Sequence, residues 1–154
     1  MPGCRSQTRF DIENCDGENI VDAILDNYGD QLAQGLNAGW TIDLTVLAEG
    51  GDEIVVELEV FDAEDNPLEE VRHLVAWLSD AAAGAPTSVA PNADVVISGG
   101  INLIEHTADI YFELLTDASG EAVFTIGDSG APTFYLNVVQ GDGTIFSSTA
   151  ITFA

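Results

Sequence analysis

From Trp40 onward, apolar and polar residues alternate at period two, and this alternation predicts a chain built mainly of half-buried β-strands. Ile42, Leu44 and Val46 share one face of a first strand, and Ile54, Val56, Leu58 and Val60 share one face of a second. Glu49-Gly50-Gly51-Asp52 separates them as a turn, and Asp62-Ala63-Glu64-Asp65-Asn66-Pro67 is a further turn leading into a strand over 71–78. Residues 79–93 are rich in Ala, Gly, Pro and Ser and read as a long loop. Strands follow near 94–97 and 101–106. Ile110, Phe112 and Leu114 then stand on one face before Asp117-Ala118-Ser119-Gly120, with Ala122, Phe124 and Ile126 on one face beyond it. Two alternating runs about a Gly-containing turn predict a β-hairpin. Strands over 133–139 and 144–153 close the chain around Gly141-Asp142-Gly143. About eight short strands at this spacing predict an antiparallel β-sandwich, and strands and helices do not alternate as an α/β fold requires.

The first third reads differently. Over residues 18–36, Ile20, Val21, Ile24, Leu25, Tyr28 and Leu32 fall on one stripe at helical spacing. Asp16 and Glu18 suit a helix start, and Gly35 to Gly39 would end it. Gly29 weakens the middle by about 1 kcal/mol relative to Ala. The sequence therefore predicts two parts: an N-terminal arm and amphipathic helix over 1–38, and a β-sandwich over 39–154.

Charge narrows the function classes. The chain carries 27 acidic residues against three arginines, for a formal charge of −24. Such a field repels nucleic-acid phosphates and anionic membrane surfaces, so neither is expected as a partner. No apolar run approaches the roughly 18–20 residues of a membrane helix, and the first 15 residues lack the apolar stretch of a secretory signal. The first ten residues hold Arg5 and Arg9 and no acid, whereas the rest of the chain holds every acid and only Arg72. A cationic tip on an acidic body suits an arm that docks on an acidic groove of a partner or a sister subunit.

Candidate chemistry is sparse. Cys4 and Cys15 have neither CxxC spacing nor a neighbouring histidine, so they read as incidental thiols. His73 and His106 fall in predicted strands, and no G-x-S-x-G accompanies them. Asp62, Glu64 and Asn66 have the first spacings of a calcium-binding EF-hand loop, but Pro67 stands where its glycine belongs and His73 where its bidentate glutamate belongs. No catalytic, cofactor-binding or metal-ligating set is expected, and the chain reads as non-enzymatic.

Two series of motifs carry a resemblance. Val60-Phe61-Asp62-Ala63-Glu64-Asp65-Asn66-Pro67-Leu68 followed by Thr116-Asp117-Ala118-Ser119-Gly120-Glu121-Ala122 is similar to the turns of bacterial immunoglobulin-like domains. Val75-Ala76-Trp77-Leu78-Ser79-Asp80-Ala81-Ala82, the Thr116–Ala122 turn, Ile126-Gly127-Asp128, Phe134-Tyr135-Leu136 and the closing Ser148–Ala154 resemble, in that order, a group of tailed-phage virion structural proteins. The resemblance covers roughly residues 53–154. It implies an immunoglobulin-like sandwich and a capsid decoration or head-fibre role on the virion exterior, with the major capsid protein as partner and further copies of the chain on the shell. Attachment is then expected through Arg5, Arg9 and Phe10 of the arm and the stripe Ile20, Ile24, Leu25, Tyr28 and Leu32. The alternative is an immunoglobulin-like module of a bacterial surface adhesin, or a tail-associated carbohydrate-binding accessory domain.

Overall fold

The computed structural model describes residues 39–154 together with two short strands, β1 (Ser6–Thr8) and β2 (Asp11–Ile12), which pair antiparallel. Chain contacts divide the protein into a unit over Met1–Ala38 and a unit over Gly39–Ala154. The predicted helix over 18–36, and with it Arg5, Arg9, Phe10, Ile20, Ile24, Leu25, Tyr28 and Leu32, lies outside the described residues. There is no helix among the described residues.

The second unit contains β3 (Thr41–Val46), β4 (Glu53–Phe61), β5 (His73–Ser79), β6 (Val95–Ser98), β7 (Ile101–Thr107), β8 (Tyr111–Leu115), β9 (Glu121–Gly127), β10 (Thr133–Val139), β11 (Ile145–Ser147) and β12 (Ile151–Thr152). These form two antiparallel sheets. One has the order β3-β4-β9-β6; the other has β11-β10-β5-β8-β7, with β12 also paired to β10. Period-two patterning explains why the sheets meet. Ile42, Leu44, Ile54, Val56, Leu58, Val60, Ala122, Phe124 and Ile126 come from the first sheet, and Leu74, Ala76, Leu78, Phe112, Leu114, Phe134, Leu136 and Val138 from the second. All are buried in a single core. Burying each of the larger side chains contributes roughly 1.5–3 kcal/mol. Phe112 of β8 and Phe124 of β9 cross the gap edge to face, with centroids 6.2 Å apart. The arrangement is mainly β and compatible with a sandwich.

Two expectations are corrected. The alternating runs on either side of Thr116–Glu121 do not form a hairpin: β8 pairs with β5 and β7, while β9 pairs with β4 and β6. The turn carries the chain from one sheet to the other, because Phe112 and Leu114 must face Ala122, Phe124 and Ile126 across the core rather than lie beside them. The predicted strand over 144–153 is likewise broken into β11 and β12. At the break, Ser148 Oγ accepts the Leu136 N–H at 3.0 Å and donates to the Thr149 carbonyl, so a side chain replaces a ladder contact.

The crossing turn is held by specific contacts. Thr116 is buried, its N–H bonds the Arg72 carbonyl at 2.9 Å, and its hydroxyl accepts the Arg72 N–H at 2.8 Å. Asp117 Oδ1 accepts the N–H groups of Ser119 and Glu121. Gly120 has φ +75° and lies so close to the Asp62–Leu68 turn that a Cβ there would stand 2.3 Å from the Leu68 carbonyl oxygen. Its own carbonyl accepts the Val60 N–H at 3.1 Å.

Gly120→Ala is therefore expected to destabilise the second unit by more than about 1 kcal/mol, since the native backbone is closed to a side chain. Phe124→Ala, which opens a core cavity, should cost about 3–5 kcal/mol. Urea unfolding midpoints of the two variants against the parent check both values, and a Gly120→Ala midpoint equal to the parent's would remove the steric account.

Candidate functional site

The two outward sheet faces differ in chemistry. On β3, β4 and β9, Asp43, Glu59 and Glu121 stand directly opposite one another across three neighbouring strands. Glu57, one pleat along on the same face, adds a fourth carboxylate. Like charges at directly opposed positions repel, and solvent and salt moderate the effect.

The outer face of the other sheet is nearly free of charge. Its register places Ser147, Asn137, Trp77, Tyr111 and Thr107 in one row, and Ile145, Val139, Val75, Glu113 and Ile104 in the next. Glu113 is the single carboxylate in these two rows.

The Ala/Gly-rich segment after β5 folds down over part of this face. Ala83 N–H donates to Asn137 Oδ1 at 3.0 Å and to Ser147 Oγ at 2.8 Å. Trp77 Nε1 donates to the Gly84 carbonyl at 2.8 Å, and Ser79 Oγ to the Ala85 carbonyl at 2.7 Å. Small side chains are required here: a Cβ on Gly84 would sit 2.6 Å from Ser79 Oγ. The segment leaves Trp77 8% exposed and Asn137 fully buried.

At the border of this cover, Trp77, Pro86, Thr107 and Tyr111 line an open cleft of about 390 Å³. The Tyr111 ring lies between Trp77, at 6.1 Å between centroids, and His106, at 5.3 Å. Beside it, Glu113 is clamped by both histidines of the chain. His106 Nε2 lies 2.7 Å from one carboxylate oxygen and His73 Nε2 3.1 Å from the other. The hydrogen bond from His106 first, and that from His73 second, hold the Glu113 carboxyl below the usual range. Three strands, β5, β8 and β7, are thereby tied across their outer face. With both oxygens engaged, Glu113 is not a free base, and among the described residues neither imidazole is hydrogen-bonded to a hydroxyl. The cluster ties neighbouring strands together.

The remaining candidates have structural partners. Asp62 is engaged within its own turn: its Oδ1 accepts the N–H groups of Glu64 and Asn66, each at 2.9 Å, and the Asn66 amide lies against both of its oxygens. These bonds, the Asn66 N–H foremost, lower its pKa. Among the described residues no group of three His, Cys, Asp or Glu side chains is arranged to hold a metal ion. Arg72 stacks on Trp40, with its guanidinium carbon 3.6 Å from the ring centroid, and pairs with Glu70. Burial pushes the Arg72 pKa down, and Glu70 opposes the shift.

Sequence reasoning placed His73 and His106 in strands but missed Glu113 and the approach of Trp77 to Tyr111. His73, Trp77, Tyr111 and Glu113 have outward parity in their strands, whereas His106 lies at a register shift between Glu105 and Thr107. Only the pairing of β5 with β8 and of β8 with β7 brings them together.

No protein-family model matches the chain, and no curated protein matches it in sequence. Among solved structures, the crystal structure of MtrC from Shewanella baltica OS185 is similar at 13% identity and a TM-score of 0.39, over 87% of this chain and 26% of that one. The chain thus corresponds to about a quarter of that protein's length. The crystal structure of the yeast GGA1 GAE domain is similar at 8% identity and a TM-score of 0.27, over 75% of this chain and 91% of that one. Both TM-scores lie below the level at which a shared fold follows.

Two outcomes test the electrostatics of the faces. Glu59→Gln relieves repulsion from both Asp43 and Glu121 and should stabilise the protein by about 0.5 kcal/mol at low salt. The gain should vanish near 1 M salt, where the screening length falls to about 3 Å; thermal melts at the two ionic strengths measure it. The lowered Glu113 pKa means that its stabilisation is present above the ordinary glutamate range and is lost as pH falls through the depressed value. Glu113→Gln should therefore flatten the loss of stability on the acid side of about pH 4.3. A pH series of urea midpoints that is equally steep in both proteins would refute the clamp's contribution.

Proposed function

We propose that this chain is a non-enzymatic structural protein of a tailed-phage virion, an immunoglobulin-like body that decorates the capsid exterior and attaches to the major capsid protein through residues 1–38. The reading rests on the ordered series Val75–Ala82, Thr116–Ala122, Ile126–Asp128, Phe134–Leu136 and Ser148–Ala154, and its immunoglobulin-like body is supported by the joining of the Val60–Leu68 and Thr116–Ala122 turns. Gly120 of the Thr116–Ala122 turn sits under the Leu68 carbonyl, and Val60 bonds both Gly120 and Leu68 through its backbone. The two turns pack against each other as one unit.

Strand order supports the immunoglobulin-like part. With β3, β4, β5, β6, β9, β10 and β11 taken as strands A to G, the two sheets become A-B-E-D and G-F-C. The pair β7 and β8 then extends the second sheet beyond strand C. The charge distribution supports display: a row of carboxylates on one face favours solubility and opposes nonspecific association. Attachment is assigned to the first unit because Arg5 and Arg9 are the cations outside the acidic body and because an apolar stripe follows them.

The test is co-sedimentation of purified protein with capsid shells of its phage assembled without it. The full chain should pellet with the shells to a fixed stoichiometry. A protein lacking residues 1–38 should remain in the supernatant while still melting cooperatively. Failure of the full chain to pellet overturns the virion reading, and undiminished pelleting of the truncated protein overturns attachment through the first unit.

A further inference from the structure

The cleft formed by Trp77, Pro86, Thr107 and Tyr111 has no part in the attachment proposed above, and its chemistry specifies a ligand. Its walls are two aromatic rings and a proline ring. Thr107 and Tyr111 also bring hydroxyl groups, and neither hydroxyl forms a hydrogen bond among the described residues, although hydroxyls elsewhere on this sheet, at Ser79, Ser147 and Ser148, are engaged. Apolar walls beside hydroxyls that have no partner among the described residues match a ring that has a C–H face and a polar rim.

The cleft is also rigid. Trp77 is fixed by its indole N–H on the Gly84 carbonyl, and the Tyr111 ring has tilted neighbours in Trp77 and His106, neither stacked flat on it. His106 is itself anchored on Glu113. A preformed site loses little conformational freedom on binding, which favours small ligands with few contacts. Its volume of about 390 Å³ lies within the range of small-molecule sites.

Charge selects among ring ligands. Among the described residues no carboxylate lines the cleft, so a cation would meet ring faces without a counter-charge and leave both hydroxyls unmatched. The body around it carries a large excess of acid, with Arg72 as its sole arginine, so an anionic sugar or phosphate is repelled. A proline-rich peptide in extended form needs a groove several residues long, whereas among the described residues the lining is confined to Trp77, Pro86, Thr107 and Tyr111.

We infer that the Trp77–Tyr111 cleft binds a neutral pyranose, with the sugar's C–H face on the Tyr111 ring and its hydroxyls on Thr107 Oγ1 and Tyr111 Oη. The inference goes beyond the virion reading and does not rest on it.

Saturation-transfer NMR on the full chain tests it, with methyl glycosides of glucose, galactose and mannose and with N-acetylglucosamine as neutral probes, methyl glucuronide as the anionic control and a proline-rich peptide as the competing class. At least one neutral glycoside should receive saturation at its ring C–H protons in a saturable way, and methyl glucuronide should not. Thr107→Val, nearly isosteric and expected to leave the fold intact, should weaken that binding several-fold, and Tyr111→Ala should abolish it with the melting transition retained. The proposal is overturned by absence of transfer to every neutral glycoside, by transfer that Thr107→Val and a folded Tyr111→Ala leave unchanged, or by saturable binding of the peptide alone. No capsid enters this experiment, so its failure and failure of the co-sedimentation test are distinct.

Discussion

The passage of the chain between the two sheets at Thr116–Glu121 is the constraint on which the rest of the second unit depends. Had the segment closed as a hairpin, β8 and β9 would lie side by side, and Phe112 could not meet Phe124 across the core. The crossing is enforced at both of its ends. Thr116 is tied to Arg72 by two hydrogen bonds, which keeps β8 beside β5, and Gly120 is tied to Val60, which delivers the chain to β4. A glycine is required because the Leu68 carbonyl occupies the space of a side chain. Asp117 completes the turn by accepting two backbone N–H groups that would otherwise point into the loop.

The same economy explains how so acidic a body holds together. Many of its carboxylates are structural acceptors. Asp62, Asp117, Asp128 and Asp142 each accept backbone N–H groups in turns, Asp109 accepts from Val95 at 2.7 Å, and Glu105 accepts from Asp109 at 2.6 Å. Hydrogen bonds from backbone N–H groups favour the charged form, which is the direction found for Asp62 and Asp142. Asp43, Glu57, Glu59 and Glu121 share the β3-β4-β9 face, where water and salt screen them. The two mapped rows of the opposite outer face carry one carboxylate, Glu113, beside the Trp77 and Tyr111 rings.

Much of the fold was legible in residue order. The buried faces Ile42–Leu44 and Ile54–Val60 follow from alternation alone, because a strand with one buried side must repeat at period two. The Ala/Gly-rich stretch after Ser79 was legible as a loop, but not as a cover lying on Trp77 and Asn137. The candidate site was much less legible. His73, Trp77, His106, Tyr111 and Glu113 are spread over three strands, and nothing in their local spacing marks them as neighbours. The false hairpin has the same origin: two alternating runs about a glycine turn look alike whether the chain folds back within a sheet or crosses to another.

The sequence by itself determined the strands, their buried faces, the acidity of the body and the residues competent to make each turn, because these depend on side-chain type and on contacts a few residues apart. Tertiary structure alone decided which strands became neighbours. Register set β8 between β5 and β7, and so made a Glu113 clamp of two separate histidines and a cleft of Trp77, Pro86, Thr107 and Tyr111. Strand partners are chosen by the closure of one shared core over long sequence separations, a global requirement that no local pattern contains.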